Sequence, residues 1–200
     1  MLTMTARLSK IMSNKIFIIS GPVAVGKTTV AKAIMKKMPK LQKAVSFTTR
    51  KRRAGTAEDK IMKYVSIPEF KEKIRKGDFV EWAIVHGQYY GTDKNVLEKL
   101  LKKGPVLLNI DTQGALILKK KLSNIVLIFI RPESLEILKK RLIKRSKGMV
   151  DQKDFQTRIN NVKRELKYTR YYDYQVVNKE GELAKTLAQV SKIIQKELKS

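Results

Sequence analysis

The stretch Lys15-Ile-Phe-Ile-Ile-Ser20-Gly21-Pro-Val-Ala-Val-Gly26-Lys27-Thr28 decides the fold. Its first six residues form a largely apolar run that ends at a glycine, as expected for a parallel strand buried on both faces. Beyond the glycines, apolar residues recur at helical spacing over residues 28–38, and Pro39 ends the pattern. The chain is therefore predicted to open with a strand, a loop and a helix.

The loop between this strand and helix matches a phosphate-binding pattern. Its form, Gly-x-x-x-x-Gly-Lys-Thr, is that of the P-loop, which requires a strand before it and a helix after it. Glycines let backbone amides point at phosphate oxygens, the helix N-terminus adds a positive dipole end, and the lysine reaches the transferred phosphate. We predict that a nucleotide polyphosphate contacts Gly21, Pro22, Val23, Ala24, Val25, Gly26, Lys27 and Thr28, with Thr28 also a ligand of Mg²⁺.

The rest of the chain predicts an α/β domain. Apolar runs at residues 106–110 and 125–130 each follow a helical segment, and strands that alternate with helices form parallel sheets. Further elements are expected as helices at 134–145, about 154–168 and 183–198, and as a strand at 174–178.

The segment between the first predicted helix and residue 106 has a different pattern of predicted elements. Short strands are expected at residues 44–48, 64–65 and 79–85, and Ser66-Ile-Pro-Glu69 fits a capping box for a helix over about 68–76. We interpret this segment as an inserted lobe.

The predicted boundaries follow from these patterns. The core would comprise residues 15–43 and 93–200, the lobe about 44–92, and a mobile helical lid about 141–158, all within one domain over 15–200. Residues 1–14 are interpreted as a flexible arm, with a transit peptide or a start at Met12 as alternatives.

Composition limits the chemistry. The 200 residues are 42% hydrophobic, enough for a sizeable core, and no apolar run approaches the roughly 20 residues that span a bilayer. With no cysteine and one histidine, disulfides, thiolate metal sites and most Ser-His or zinc chemistry are excluded. We expect a cytoplasmic protein without a membrane partner.

The net charge of +26 points to anionic ligands. Nucleic-acid binding through this charge is one hypothesis, and it predicts a steep salt dependence without turnover. Few aromatic residues interleave with the basic runs, so no specific nucleic acid is expected.

An acid follows the apolar run at 106–110. Asp111 is placed as the carboxylate that lies beside the magnesium of a P-loop site. A helix N-cap is the alternative role, and one carboxylate can serve both.

Several separated motifs make residues 15–198 resemble guanylate kinases, enzymes that transfer a phosphoryl group from ATP to GMP. Besides the P-loop they are Val45-Ser-Phe-Thr-Thr-Arg50-Lys-Arg-Arg53-Ala-Gly55, Phe79-Val-Glu81-Trp82, Gln88-Tyr-Tyr90-Gly-Thr92, Ile110-Asp111-Thr-Gln-Gly114, Arg141-Leu-Ile-Lys-Arg145 and Val176-Val-Asn178. The resemblance implies a three-layer P-loop NTPase fold with a parallel central sheet, an inserted GMP-binding lobe and a helical lid.

The resemblance also implies roles for single residues. GMP contacts would come from Ser46, Arg50, Arg53, Glu81, Tyr90, Thr92 and Asp111, and catalysis would involve Lys27, Asp111, Arg141, Arg145 and Arg158. ATP would bind the P-loop, with Asn178 near the adenine, and Mg²⁺ would lie near Thr28 and Asp111. Ionised Glu81 can accept hydrogen bonds from both the ring N–H and the amine of guanine, whereas adenine offers the opposite pattern.

Three departures from the family pattern and three rival functions stay open. Met62 stands where the family has a tyrosine, Asn109 where it has an acid, and Arg131-Pro-Glu133 replaces Leu-Pro-Pro. We expect weaker GMP affinity than in a typical member. Tyr64 is close, but two residues along a strand move a side chain roughly 6 to 7 Å. The rivals are a P-loop kinase with another acceptor, a non-catalytic guanylate-kinase-like binding domain, and the charge-driven nucleic-acid binder.

Overall fold

A parallel five-stranded sheet forms the centre of the molecule. The computed structural model describes residues 14–52, 62–145 and 151–200. The central strands are β1 (Ile16–Ser20), β2 (Gln42–Lys43), β7 (Val106–Asn109), β8 (Ile125–Pro132) and β9 (Tyr174–Asn178). They lie in the order β2-β7-β1-β8-β9, and every neighbouring pair is parallel. The predicted parallel sheet is confirmed.

The described residues also form seven α-helices. They are α1 (Lys27–Lys37), α2 (Ile67–Arg75), α3 (Lys94–Leu101), α4 (Thr112–Lys121), α5 (Leu135–Arg145), α6 (Gln152–Lys167) and α7 (Leu183–Glu197). A short 3₁₀ helix, Tyr168–Tyr171, links α6 to β9. Helices α1, α3, α4, α5 and α6 lie between successive strands of the central sheet, as the alternation in the sequence predicts, whereas α2 lies in the predicted lobe and α7 follows β9.

Strand β1 joins two hydrophobic layers. All five of its residues are buried, and alternate side chains point to opposite faces of the sheet. Phe17 and Ile19 pack in a cluster that includes apolar residues of α1 and α7. Ile16 and Ile18 pack in a second cluster with apolar residues of α3 and α4. Helices therefore cover both faces, which gives the three-layer α/β fold that the sequence predicts.

A second sheet forms within the predicted lobe. Its strands are β3 (Ser46–Thr48), β4 (Met62–Tyr64), β5 (Phe79–Val85) and β6 (Gln88–Asp93), in the order β4-β3-β6-β5. β3 is parallel to β4 and antiparallel to β6, and β5 and β6 form a hairpin. One face packs on α2 through a small aromatic cluster of Phe47, Phe70 and Phe79.

Local signals place α2 as predicted, whereas some strands differ. The Ser66 hydroxyl accepts from the Glu69 amide, and the Glu69 carboxylate accepts from the Ser66 amide, so the capping box is present. β6 and β2 were not among the expected strands, and β4 begins at Met62 rather than Tyr64. The two missed strands form because they pair with neighbouring strands: β6 pairs with β3 and β5, and β2 pairs with β7. Such pairing depends on distant residues, so it leaves no periodic pattern in the segment itself.

Two predicted segments fall wholly or partly outside the described residues. The arm over residues 1–14 is described only at Asn14, and the lid lacks residues 146–150 between α5 and α6. Within the described ranges, no helix combines the length and apolar character needed to cross a bilayer.

Candidate active site

The P-loop curls around the N-terminus of α1. Gly21 and Gly26 have φ values of 142° and 99°, and Gly26 is the N-cap of α1. A Cβ at Gly26 would lie 2.6 Å from Nδ2 of Asn178, so both the conformation and the close approach require glycine. Lys27 Nζ donates to the carbonyl oxygens of Gly21 and Pro22 at 2.6 and 2.8 Å. Its ammonium group therefore lies against the loop's own backbone.

Asn178, at the end of β9, contacts the P-loop backbone. Its Nδ2 donates to the Val25 carbonyl at 2.8 Å, and its Oδ1 accepts from the Thr186 hydroxyl at 3.0 Å. Both ends of the buried amide are thus bonded within the protein. The geometry makes Asn178 a support for the loop.

The lobe sheet presents two rows of side chains on one face. Strand register pairs Met62 with Ser46, Ser46 with Thr92, and Thr92 with Glu81. The second row lies two residues away from the first on each strand, and it consists of Tyr64, Thr48, Tyr90 and Ala83. We call these the first and second rows. Residues opposite each other on paired strands are side-chain neighbours, so each row brings together residues that are distant in sequence.

A β-bulge at Val80 puts Glu81 in the first row. Phe79 pairs with Asp93, but Glu81 pairs with Thr92, so the register shifts by one residue between them. Without the shift Glu81 would oppose Gly91 and point to the aromatic face, because a one-residue slip moves a side chain across the sheet. The bulge therefore turns the carboxylate toward Ser46 and Thr92.

The Glu81 carboxylate is held and almost fully buried. Its Oε1 accepts from the Thr92 hydroxyl at 2.6 Å, and the residue is 4% exposed. Burial raises the pKa of Glu81 to about 7, against the opposing effect of the Thr92 hydrogen bond. Gly114 of α4 packs against it, because a Cβ there would lie 2.5 Å from Oε2.

Arg50 follows β3 and is held by several groups. Its backbone N–H donates to Thr48 Oγ1, and its Nη2 donates to the Tyr64 hydroxyl, both at 3.1 Å. Its Nη1 donates to the carbonyl of Lys51 at 3.0 Å. The residue is only 9% exposed, so its charged group is fixed rather than solvated. Its predicted companion Arg53 lies outside the described residues.

Asp111 both caps a helix and faces the site. Its Oδ1 accepts from the Gly114 amide at 2.9 Å as the N-cap of α4, which confirms the capping alternative, and the residue also lines the cavity described below. Burial raises the pKa of Asp111, and hydrogen bonds from the amides of Gly114 and Gln113 oppose this rise.

Asn109 lies beside the P-loop threonine. Its Nδ2 is 3.3 Å from the Thr28 hydroxyl, while its buried Oδ1 has no hydrogen-bond partner within the described part of the chain. Hydroxyl, amide and carboxylate oxygens are ligands that Mg²⁺ accepts, so Thr28, Asn109 and Asp111 form a donor set that fits this ion. No cluster of three or more His, Cys, Asp or Glu residues occurs among the described residues.

Helices α5 and α6, which the predicted lid includes in part, contribute cations to the site. Arg141 of α5 donates from Nη2 to the Asn178 carbonyl at 3.4 Å, and Arg158 of α6 pairs through Nε with Asp154 at 2.8 Å. Both line the cavity, as does Lys144, which the sequence did not single out. α5 ends at Arg145, whose side chain lies outside the description.

Glu165 of α6 is a partly buried acid at the cavity that the sequence analysis did not identify. Its Oε2 accepts from the Thr112 hydroxyl at 3.1 Å. Burial raises its pKa to about 7, and the charge of Lys27 opposes this rise. Glu165 follows the buried Val162 by three residues, so an acid on the apolar face of a predicted helix was the available signal. His86 also lines the cavity.

One cavity of about 1100 Å³ is lined by residues of the P-loop, the second sheet, α5 and α6. The predicted site residues along it are Gly21, Val23, Ala24, Gly26, Lys27, Thr28, Ser46, Arg50, Glu81, Tyr90, Asp111, Arg141 and Arg158. Pro22, Val25, Thr92 and Asn178 are not among its lining residues within the described chain. Thr92 donates to the lining residue Glu81, and Asn178 donates to Val25 within the P-loop. The volume is large enough for two nucleotides.

Comparison with known proteins agrees with this geometry. The family model described as guanylate kinase matches residues 13–197. The chain belongs to the guanylate kinase family.

Individual relatives show the same relationship. The chain is 40% identical over 173 residues to the guanylate kinase of Helicobacter pylori (strain ATCC 700392 / 26695), with 86% of this chain and 83% of that protein covered. The guanylate kinase of Thermotoga maritima is 39% identical, with 84% and 80% covered. The crystal structure of guanylate kinase from Anaplasma phagocytophilum superposes with a TM-score of 0.75 at 30% identity, over 92% of this chain and 86% of that one.

Proposed function

We propose that this protein transfers the terminal phosphoryl group of ATP to GMP, giving ADP and GDP. The observation that carries the proposal is the pairing, within one cavity, of the Lys27 P-loop with the buried Glu81 carboxylate in the first row. A polyphosphate subsite and a base-reading subsite on one cavity are what a nucleotide-to-nucleotide phosphoryl transfer requires.

Glu81 would select guanine. An ionised carboxylate accepts from both the ring N–H and the amine of guanine, and Ser46 and Thr92 supply hydroxyls in the same row. A buried donor or acceptor that lacks a partner costs about 1 to 3 kcal/mol, so AMP would be a poor acceptor. Thr92 would act by holding Glu81, since its hydroxyl already donates to the carboxylate.

Arg50 and Tyr90 would bind the GMP phosphate, together with Arg53. Arg50 is buried at the cavity wall, and Tyr90 lines the same wall from the second row. A guanidinium and a phenolic hydroxyl provide directional donors for phosphate oxygens. Asp111, packed near the Glu81 carboxylate through Gly114, would close the far side of the acceptor subsite.

The P-loop residues Gly21 to Thr28 would bind the ATP phosphates. Backbone amides at the start of α1 and the Lys27 ammonium group supply the positive charge. Asn178 would hold the loop in place through its hydrogen bond to the Val25 carbonyl. Arg141, Arg145 and Arg158 on the lid would neutralise charge on the transferred group, because phosphoryl transfer depends mainly on alignment and charge stabilisation.

Thr28 and Asp111 would hold Mg²⁺, with Asn109 in contact with the Thr28 hydroxyl. When bound, this ion neutralises phosphate charge and orients the donor. The protein groups themselves align the GMP phosphate oxygen with the donor phosphate, and closure of lobe and lid would exclude water that could hydrolyse ATP.

A coupled assay for ADP tests the proposal. Wild type and Lys27→Ala are assayed with GMP, AMP, CMP and UMP as acceptors. We expect GMP-dependent turnover in the wild type and its loss by several orders of magnitude in Lys27→Ala. Equal turnover with another acceptor would favour the rival P-loop kinase, and GMP binding without turnover would favour the non-catalytic binding domain.

A further inference from the structure

We propose that Tyr64 is a positioning residue for the acceptor phosphate, and that its hydroxyl holds the Arg50 guanidinium at the cavity wall. The proposal rests on the proposed binding of the GMP phosphate at Arg50. Tyr64 matched no motif in the sequence, and it does not belong to the lining of the cavity within the described chain.

The contact itself is direct. Arg50 Nη2 donates to the Tyr64 hydroxyl at 3.1 Å, and the Arg50 guanidinium carbon lies 5.7 Å from the centre of the Tyr64 ring. Arg52, two residues further on, lies over the same ring at 4.9 Å. One tyrosine thus orders two arginines of the basic segment, through a hydrogen bond and through cation–π contacts.

The position of Tyr64 in the sheet explains why it can do this. Tyr64, Thr48 and Tyr90 are neighbours in the second row, on three adjacent strands. Thr48 accepts from the backbone N–H of Arg50, while Tyr64 accepts from its side chain. The row therefore fixes both ends of Arg50, and Tyr90 from the same row lines the cavity beside it.

Met62 makes this support relevant to binding. Met62 is in the first row, two residues before Tyr64 on the same face of β4, and lines the cavity with a thioether that cannot donate a hydrogen bond. The cavity wall therefore has no side-chain hydrogen-bond donor at position 62. Binding then depends more on Arg50, whose long side chain would lose conformational entropy on binding unless it were already ordered. The Tyr64 hydroxyl provides that order.

Tyr64→Phe isolates the hydroxyl, because the ring and its cation–π contacts stay. GMP and guanosine affinities are measured by calorimetry, together with kcat and both KM values. We expect GMP to bind about three- to tenfold more weakly, guanosine to bind as in the wild type, and kcat and the KM for ATP to stay unchanged. A purely structural defect in the lobe would weaken guanosine as well.

Tyr89→Phe is the matched control. Tyr89 belongs to the same sheet but points to the opposite face, where its ring packs 5.3 Å from Phe70. Removing its hydroxyl should leave GMP affinity unchanged. Unchanged GMP affinity in Tyr64→Phe, or an equal loss for GMP and guanosine, would overturn the proposal.

Arg50→Ala separates this proposal from the one on which it rests. If Tyr64 acts through Arg50, the effect of Tyr64→Phe on GMP affinity should vanish in the Arg50→Ala background. If Arg50→Ala alone leaves GMP affinity unchanged, the phosphate does not bind at Arg50, and both proposals fail. A loss in Arg50→Ala with none in Tyr64→Phe overturns only the role of Tyr64.

Discussion

The Thr92 hydroxyl donates a 2.6 Å hydrogen bond to Oε1 of Glu81, and the two residues are 1% and 4% exposed. The bulge at Val80 makes this contact possible, because it places Glu81 opposite Thr92 on the neighbouring strand. Burial raises the pKa of Glu81 to about 7, whereas the Thr92 bond stabilises the ionised form. The group proposed to read the base therefore changes its protonation near neutral pH.

Binding of GMP should release a proton from Glu81. Guanine N–H donors favour the carboxylate, so they lower the pKa of Glu81 in the complex below its value of about 7 in the free protein. GMP affinity should consequently rise as the pH increases from about 6 to 8. Calorimetry at pH 6.5, in two buffers with different ionisation enthalpies, measures the protons released.

The GMP phosphate also titrates, near pH 6, so the comparison with Glu81→Gln isolates the carboxylate. This variant should lose the Glu81 part of the proton release. Identical proton release in both proteins would mean that Glu81 does not meet the base.

Gly114→Ala should weaken GMP binding without weakening ATP binding. The new Cβ would lie 2.5 Å from Oε2 of Glu81, and the buried carboxylate would have to leave its bond with Thr92. Alanine is otherwise favourable within a helix such as α4. We expect the KM for GMP to rise about tenfold, as for one lost hydrogen bond to a charged group. Kinetics with each substrate varied in turn test this, and an unchanged KM for GMP would contradict the site geometry.

Glu165→Gln should stabilise the protein above neutral pH. The pKa of Glu165 is raised from 4.5 to about 7, so its contribution to stability is present below pH 4.5 and is lost as the pH rises to about 7. Glutamine stays neutral and can still accept from Thr112. We expect a gain of roughly 1 to 3 kcal/mol in the free energy of unfolding at pH 8, and much less at pH 5.

Urea unfolding at the two pH values measures this gain. Glu180→Gln serves as the control, because Glu180 is exposed and follows β9 at the surface. An equal effect of both substitutions at pH 8 would show that burial of Glu165 does not govern its charge.

Asn109→Asp should lower the Mg²⁺ concentration needed for activity. Asn109 contacts the Thr28 hydroxyl and has a buried oxygen without a partner among the described residues, so a carboxylate there would add charge where Mg²⁺ is expected. Titration of activity with Mg²⁺ at fixed ATP should give a severalfold lower midpoint. Asn95→Asp is the control, because Asn95 is exposed, and it should leave the midpoint unchanged. An unchanged midpoint in Asn109→Asp would show that Mg²⁺ binds elsewhere.

Local patterns in the sequence were sufficient for four of the five strands of the parallel core, whereas the two-residue β2 was missed. The buried run of β1, the glycines of the loop and the helical periodicity of α1 are short-range signals, so they could be interpreted without knowing the rest of the fold. Asp111 was likewise predictable, because both its capping and its position after β7 follow from adjacent residues.

The lobe was harder because its geometry depends on pairing between strands. The bulge at Val80 decides which way Glu81 points, and it exists only in relation to β6. The contact of Tyr64 with Arg50 joins β4 to a residue just after β3, and nothing in the local sequence pairs these two residues. Resemblance to a family identified Glu81 and Arg50, whereas the contact of Tyr64 with Arg50 and the position of Glu165 emerged only from the three-dimensional arrangement.

The most direct test of the account is the selectivity for GMP over AMP in wild type and Glu81→Gln. Steady-state kcat/KM is measured for both acceptors at saturating ATP. If the Glu81 carboxylate reads the base, the ratio of kcat/KM for GMP to that for AMP should fall about 10- to 100-fold in Glu81→Gln, in line with one or two lost buried hydrogen bonds. A ratio equal to that of the wild type would show that guanine is selected elsewhere and would contradict the account.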